Sequence, residues 1–163
     1  MAAIRLDHFA VAVRDPRTAV QLYGELLGGR YVQGVSDWRG FGFIQFEYPN
    51  GSRLEVIFPG SEKDGFLPRF LERHGEGMHH VTFVVDDLQA EVHRLRSAGY
   101  RVVDEDYSDP NWQDAFLSPL TAHGTIIQLA QSILSQAEQD ARWGERLERI
   151  LEVAARPHQE DQK

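Results

Sequence analysis

Two segments of this chain share one pattern. Leu6-Asp7-His8-Phe9-Ala10-Val11-Ala12-Val13-Arg14-Asp15 stands near the N-terminus, and Met78-His79-His80-Val81-Thr82-Phe83-Val84-Val85-Asp86-Asp87 follows at an offset of 72 residues. Both read x–x–His–apolar–small–apolar–x–Val–x–Asp. A fixed internal period reports architecture before any single motif does, because each copy must fold into the same local unit. The repeat continues. Asn50-Gly51 maps onto His123-Gly124, and Glu55 onto Gln128, both at an offset of 73 residues. Two related halves, each opening on a histidine-bearing strand, are therefore expected to build one site jointly.

The elements between these landmarks also repeat. Residues 4–13 alternate in hydrophobicity and predict a strand, with Phe9, Val11 and Val13 on the helix-facing side and His8, Ala10 and Ala12 opposite. Asp15-Pro16 predicts a helix start. Ala19, Leu22, Tyr23, Leu26 and Leu27 give its apolar face, and Gly28-Gly29 its end. Strands are expected over 30–36, 41–48 and 52–58, the last two joined through Pro49-Asn50-Gly51. A connector over 59–77 carries a short helix at 66–73. The order then recurs, with strand 78–85, helix 87–98 and strands 101–107, 113–118 and 125–131. Residues 133–155 predict one further helix with Leu147, Ile150, Leu151 and Ala154 as its packing stripe. Residues 156–163 read as a frayed polar tail. The expected fold is α+β, with two tandem βαβββ modules (1–58 and 78–131) joined by the 59–77 connector. They form a curved mixed sheet around a cleft, and a helical tail covers 132–163.

Composition narrows the function. The chain of 163 residues carries a formal net charge of −8, which disfavours nucleic acid or an anionic membrane as the main partner. Cysteine is absent, so thiolate chemistry and disulfides are excluded. No apolar run reaches membrane-spanning length and no basic-then-apolar leader precedes the first strand, so a cytoplasmic protein is expected.

Four polar residues occupy matched positions in the repeat, His8 and Glu55 in the first module and His80 and Gln128 in the second. Two imidazoles, a carboxylate and an amide oxygen suit a divalent first-row metal such as Zn, Ni, Co, Mn or Fe(II), with positions left for water or substrate. A structural reading stands beside this one. A strand-start histidine is often simply hydrogen-bonded, and a lone glutamate in an alternating strand often lies on the wet face. Alternation puts His79 opposite His80, in a supporting role. His74, His93, His123 and His158 read as structural or solvated.

These residues resemble the vicinal oxygen chelate superfamily, which includes glyoxalase I, methylmalonyl-CoA epimerase, extradiol dioxygenases and bleomycin-resistance-type binding proteins. The likeness to the epimerases runs through Leu6–Asp15, Leu54-Glu55-Val56-Ile57-Phe58-Pro59, and Phe70-Leu71-Glu72-Arg73-His74-Gly75-Glu76-Gly77-Met78-His79-His80, then on through Val85-Asp86-Asp87. It covers about residues 4–131. The resemblance implies metal ligation by His8, Glu55, His80 and Gln128. It also implies an isomerase or lyase that chelates two neighbouring substrate oxygens and stabilises an enolate, acting on an acyl-CoA or another vicinal-oxygen compound, commonly as a homodimer.

Three departures bear on the substrate. Gln128 stands where the epimerases and glyoxalases have a glutamate, and a neutral amide is no general base. Phe116-Leu117-Ser118-Pro119-Leu120 replaces a Phe-Leu-His-Pro-Lys run. Asp109-Pro110-Asn111-Trp112-Gln113 replaces a glycine-rich loop. Glu55 is then the expected proton-transfer carboxylate, with Glu47 as a second candidate. The alternatives are a glyoxalase I-like lyase, an Fe(II) dioxygenase, and a non-enzymatic binding or resistance protein whose aromatic wall would come from Trp38, Phe43 or Trp112.

Overall fold

The structure, a computed structural model, describes residues 5–155. Residue 4 of the first strand and the expected tail at 156–163, with His158, lie outside the described residues. The fold is α+β, with eight strands in mixed pairing among the described residues. Its contacts divide into two compact units. Of the described residues, one unit gathers those through Ala10 with Met78–Gln139, and the other gathers Val11–Gly77 with those from Asp140 onward. We call them the histidine unit and the hairpin unit. Among the described residues no helix is long and apolar enough to cross a membrane.

In the hairpin unit, β2 (Arg30–Trp38), β3 (Phe41–Glu47) and β4 (Arg53–Pro59) lie antiparallel in that order. The β3–β4 turn closes where Asn50-Gly51 predicts it. Gly51 sits at φ 81°, a left-handed conformation that only glycine adopts without steric cost, and its N–H donates to the Tyr48 carbonyl at 2.8 Å. Both faces of β4 are covered. Val56 and Phe58 join Ile44, Phe46, Val20 and Ile150 on one side. Ile57 packs with Phe43, Leu67 and Leu71 on the other, the last two from α2 (Phe66–His74).

Two helical expectations are corrected here. Asp15 caps α1 (Pro16–Ala19) by accepting from the Arg17 N–H at 2.9 Å, but the helix then widens into a π-type stretch over Val20–Leu26. Its hydrogen bonds reach five residues back, as from Leu27 N–H to the Leu22 carbonyl at 2.9 Å. The wider turn rotates the faces, so Val20 and Tyr23 pack inward. Leu22, Leu26 and Leu27, expected inside, are 44%, 72% and 57% exposed. The C-terminal helix is two helices, α4 (Gln136–Arg142) and α5 (Leu147–Ala154). Between them the chain extends along β2. The Gly34 N–H donates to the Trp143 carbonyl at 2.6 Å, Gly34 bridges Gly144, and Tyr31 Oη donates to the Glu145 carbonyl. Among the described residues β2 has one strand neighbour, and this link satisfies backbone groups its outer side would otherwise expose. The α5 stripe then docks as expected, with Ile150 fully buried against the β3–β4 core.

In the histidine unit the order is β1 (Arg5–Ala12), β5 (Gly77–Val84), β8 (Ile126–Gln131), β7 (Gln113–Leu117), β6 (Val102–Asp106). β5 and β8 run parallel, and β7 pairs antiparallel with both β8 and β6. α3 (Leu88–Ser97), capped by Asp87, covers this sheet through Leu88, Val92 and Leu95, which pack on Val102, Ala115, Leu117 and Leu129. One side chain departs from the alternation. Phe9, expected toward a helix with Val11 and Val13, is 43% exposed.

Candidate metal centre

His8, His80 and Gln128 come together in the histidine unit. His8 stands on β1, His80 on the neighbouring β5, and Gln128 on β8, in register with Thr82 two residues past His80. Residues i and i+2 of a strand share a face, which carries Thr82 to the same side as His80. All four are buried. The two imidazoles meet edge to face with centroids 5.7 Å apart, and a ring nitrogen of each lies within 4.8 Å of the other's.

A chain of hydrogen bonds orders this cluster. Asp7 Oδ2 lies 2.8 Å from His8 Nδ1. His8 Nε2 lies 3.0 Å from Thr82 Oγ1, which donates to Gln128 Oε1 at 2.7 Å. Gln128 Nε2 donates to Asp114 Oδ2 at 3.0 Å. The ionised Asp7 carboxylate can only accept, so in the neutral His8 imidazole Nδ1 carries the hydrogen and Nε2 presents its lone pair.

Burial pulls the Asp7 carboxyl upward, but the hydrogen bond and charge of His8, followed by those of Arg5, outweigh it and hold the group at about 2. Burial pushes His80 well below the ordinary imidazole range. The nearby charges of His8 and His79 push the same way, and a hydrogen bond with Gln128 opposes them. His80 is therefore a neutral imidazole at neutral pH, the form that binds metals. His79 supports it directly. Alternation separates their Cβ atoms, yet the rings meet edge to face with Nδ1 atoms 2.8 Å apart.

Glu55 lies on β4 of the hairpin unit, buried, and belongs to a second polar row. Gln33 Nε2 donates to Gln45 Oε1 at 2.6 Å, and Gln45 Nε2 donates to Glu55 Oε2 at 2.8 Å. The three residues stand in register on β2, β3 and β4. Glu47, the other carboxylate expected to move protons, is held in ion pairs. Arg53 binds it at 3.0 Å, and Arg30 contacts its other oxygen. These partners keep its carboxyl below the usual range, Arg53 most, which makes it a weaker base. Arg53 in turn holds Asp140 at 2.7 and 2.9 Å, so this is a structural ion network. Trp38 and Phe43 pack on Trp143, with centroids 5.4 and 5.7 Å apart, as part of a core rather than an open wall. Trp112 is half-buried in the loop before β7. His74 lies over Phe70 at the end of α2.

Asp7, Thr82, Asp114 and Gln45 are not among the residues that the repeat singles out. Thr82 carried a signal, since it follows His80 by two residues on a strand. Asp7 did not, because alternation points it away from His8. Asp114 was visible only as an acid inside a short, otherwise mostly apolar strand.

The sequence profile of the Glyoxalase/Bleomycin resistance protein/Dioxygenase superfamily matches residues 7–116. The chain is 31% identical over 135 residues to the ethylmalonyl-CoA/methylmalonyl-CoA epimerase of Cereibacter sphaeroides, a match covering 78% of this chain and 97% of that one. It is 26% identical over 129 residues to the uncharacterized protein YqjC of Bacillus subtilis, covering 78% and 91% of the two chains. Among solved structures, the methylmalonyl-CoA epimerase of Mycobacterium tuberculosis superposes with a TM-score of 0.72 at 27% identity, covering 83% of this chain and 93% of that one. The repeat, the strand order and these likenesses agree: the chain belongs to the glyoxalase/bleomycin resistance protein/dioxygenase superfamily, the vicinal oxygen chelate group that its sequence resembles.

Proposed function

We propose that this protein is a metal-dependent isomerase or lyase of that superfamily, epimerase-like, acting on an acyl-CoA or a related compound with neighbouring oxygens. The observation that carries the reading is the buried His8–His80 pair, with His80 held neutral and the Gln128 oxygen beside it. These donors fit a divalent first-row metal, two as imidazole nitrogen and one as amide oxygen. Glu55 enters as the carboxylate ligand because the repeat matches it to Gln128. His8 would bind through Nε2, since Asp7 occupies Nδ1. A metal held there supplies Lewis-acid polarisation of a substrate carbonyl and so acidifies the adjoining C–H.

The proton itself falls to the chain's own carboxylates. Gln128 cannot accept one. Glu47 is neutralised by two arginines. Of these candidates that leaves Glu55, which would take the proton on leaving the metal and whose Oε2 is steadied by Gln45. The family relationship with named epimerases supports the reaction class. We further expect a cytoplasmic homodimer, which size-exclusion chromatography with light scattering would check.

The test is solvent deuterium exchange. With added Co, Ni, Mn or Zn, deuterium is expected to enter the α-carbon of methylmalonyl-CoA, and Glu55→Gln should lower the rate at least about 100-fold, the scale of general acid–base catalysis. Metal binding without exchange in any acyl-CoA or hemithioacetal tried would sink the isomerase reading and leave a binding protein. Oxygen uptake with Fe(II) but not Zn would indicate the dioxygenase chemistry instead.

A further inference from the structure

The hydrogen-bond chain across β1, β5, β8 and β7 has a direction, and Asp114 sets it. A buried carboxylate beside an amide accepts, so the Gln128 Nε2 that approaches it at 3.0 Å must be the donor. The carboxamide oxygen is then turned to the other side, toward Thr82 at 2.7 Å, and Gln128 also hydrogen-bonds His80. Were the amide reversed, its oxygen would face a carboxylate and its NH2 group would face the metal-binding side. We propose that Asp114 is the positioning residue that locks Gln128 with its oxygen inward, and that residues 114 and 128 form a matched acceptor–donor pair. This rests on the metal-centre reading for its purpose, though not for its geometry. It also gives a physical reason why this chain carries an amide at the fourth corner. A glutamate at 128 would set two acceptor-only groups against each other at hydrogen-bond distance, unsatisfied in a buried place.

The pairing predicts a reciprocal swap. Gln128→Glu alone loses the donor and should lower the melting temperature of the metal-free protein by about 5 °C. Asp114→Asn alone lets the amide adopt either orientation, and Co(II) affinity, read from its visible absorption, should fall about 10- to 100-fold, as for other outer-shell partners. The double variant Asp114→Asn with Gln128→Glu restores a donor facing an acceptor, with the roles exchanged. It should recover most of the melting temperature lost by Gln128→Glu. A residue that merely fills space would not give such a rescue. Losses that simply add in the double variant would overturn the pairing. The melting experiment is done without metal, so it stands apart from the functional reading. If the swap rescues stability but the native protein takes up no Co(II), the metal centre is refuted and the orientation lock survives.

Discussion

At the residue scale, Asp7 and His80 tie the candidate centre to acid stability. The folded Asp7 carboxyl, held at about 2 against an ordinary 3.8, binds its proton less readily than in the unfolded chain. Its stabilisation is fully present above pH 3.8 and is lost as pH falls toward 2. The shift corresponds to about 2 kcal/mol. Asp7→Asn should therefore cost about that much at neutral pH, and its urea midpoint should converge on the native protein's near pH 2. His80 acts at higher pH in the same sense. Its folded form resists protonation, so metal-free protein should begin to lose stability as pH drops below 6.5. A His80→Gln variant should lack that part of the slope. Equal slopes in the two proteins would show that His80 is not held neutral.

At the scale of elements, the informative feature is the junction between β2 and the C-terminal segment. A Cβ built on Gly34 would lie 2.6 Å from the Phe43 carbonyl oxygen and 3.0 Å from Ile150 Cδ1. The first contact is with backbone and cannot be relieved by a rotamer change. Gly34→Ala should cost about 1–3 kcal/mol by forcing β2 away from β3 and from Ile150 of α5. Ile150→Ala removes a fully buried side chain from the same core and should cost about 2–5 kcal/mol, read from urea unfolding. Comparable loss in both variants would mark this segment as part of the hairpin unit's core. A negligible loss from Ile150→Ala would show that α5 is dispensable. The same junction explains why a single helix over 133–155 was expected. The periodicity of Leu147, Ile150, Leu151 and Ala154 was visible, but the backbone bonds that extend Trp143-Gly144 come from β2, more than a hundred residues away in sequence.

For the whole molecule, a metal that binds only the folded chain must raise its stability. At about 100 times Kd the gain is about 2.7 kcal/mol, or about 5–10 °C in melting temperature for a chain of this size. Calorimetry with and without EDTA should show that shift for at least one of Zn, Ni, Co and Mn, reversed by the chelator. The same melting temperature in every case would remove the metal from the functional reading.

The repeat determined most of the architecture. Two histidine-bearing strands at a fixed offset, matched turns and matched fourth-strand residues sufficed for the α+β order of strands and helices, because alternation and turn chemistry are local properties. They also led to His8, His80 and Gln128, which the fold gathers in one unit. Tertiary structure decided what local pattern cannot express. It widened α1 into a π-type stretch and left Phe9 exposed, and it split the C-terminal helix through backbone bonds to β2, a partner distant in sequence. It also recruited Asp7, Thr82 and Asp114 around the histidines. The direction of a buried hydrogen bond depends on both its ends, and for Gln128 one end is Asp114, on another strand.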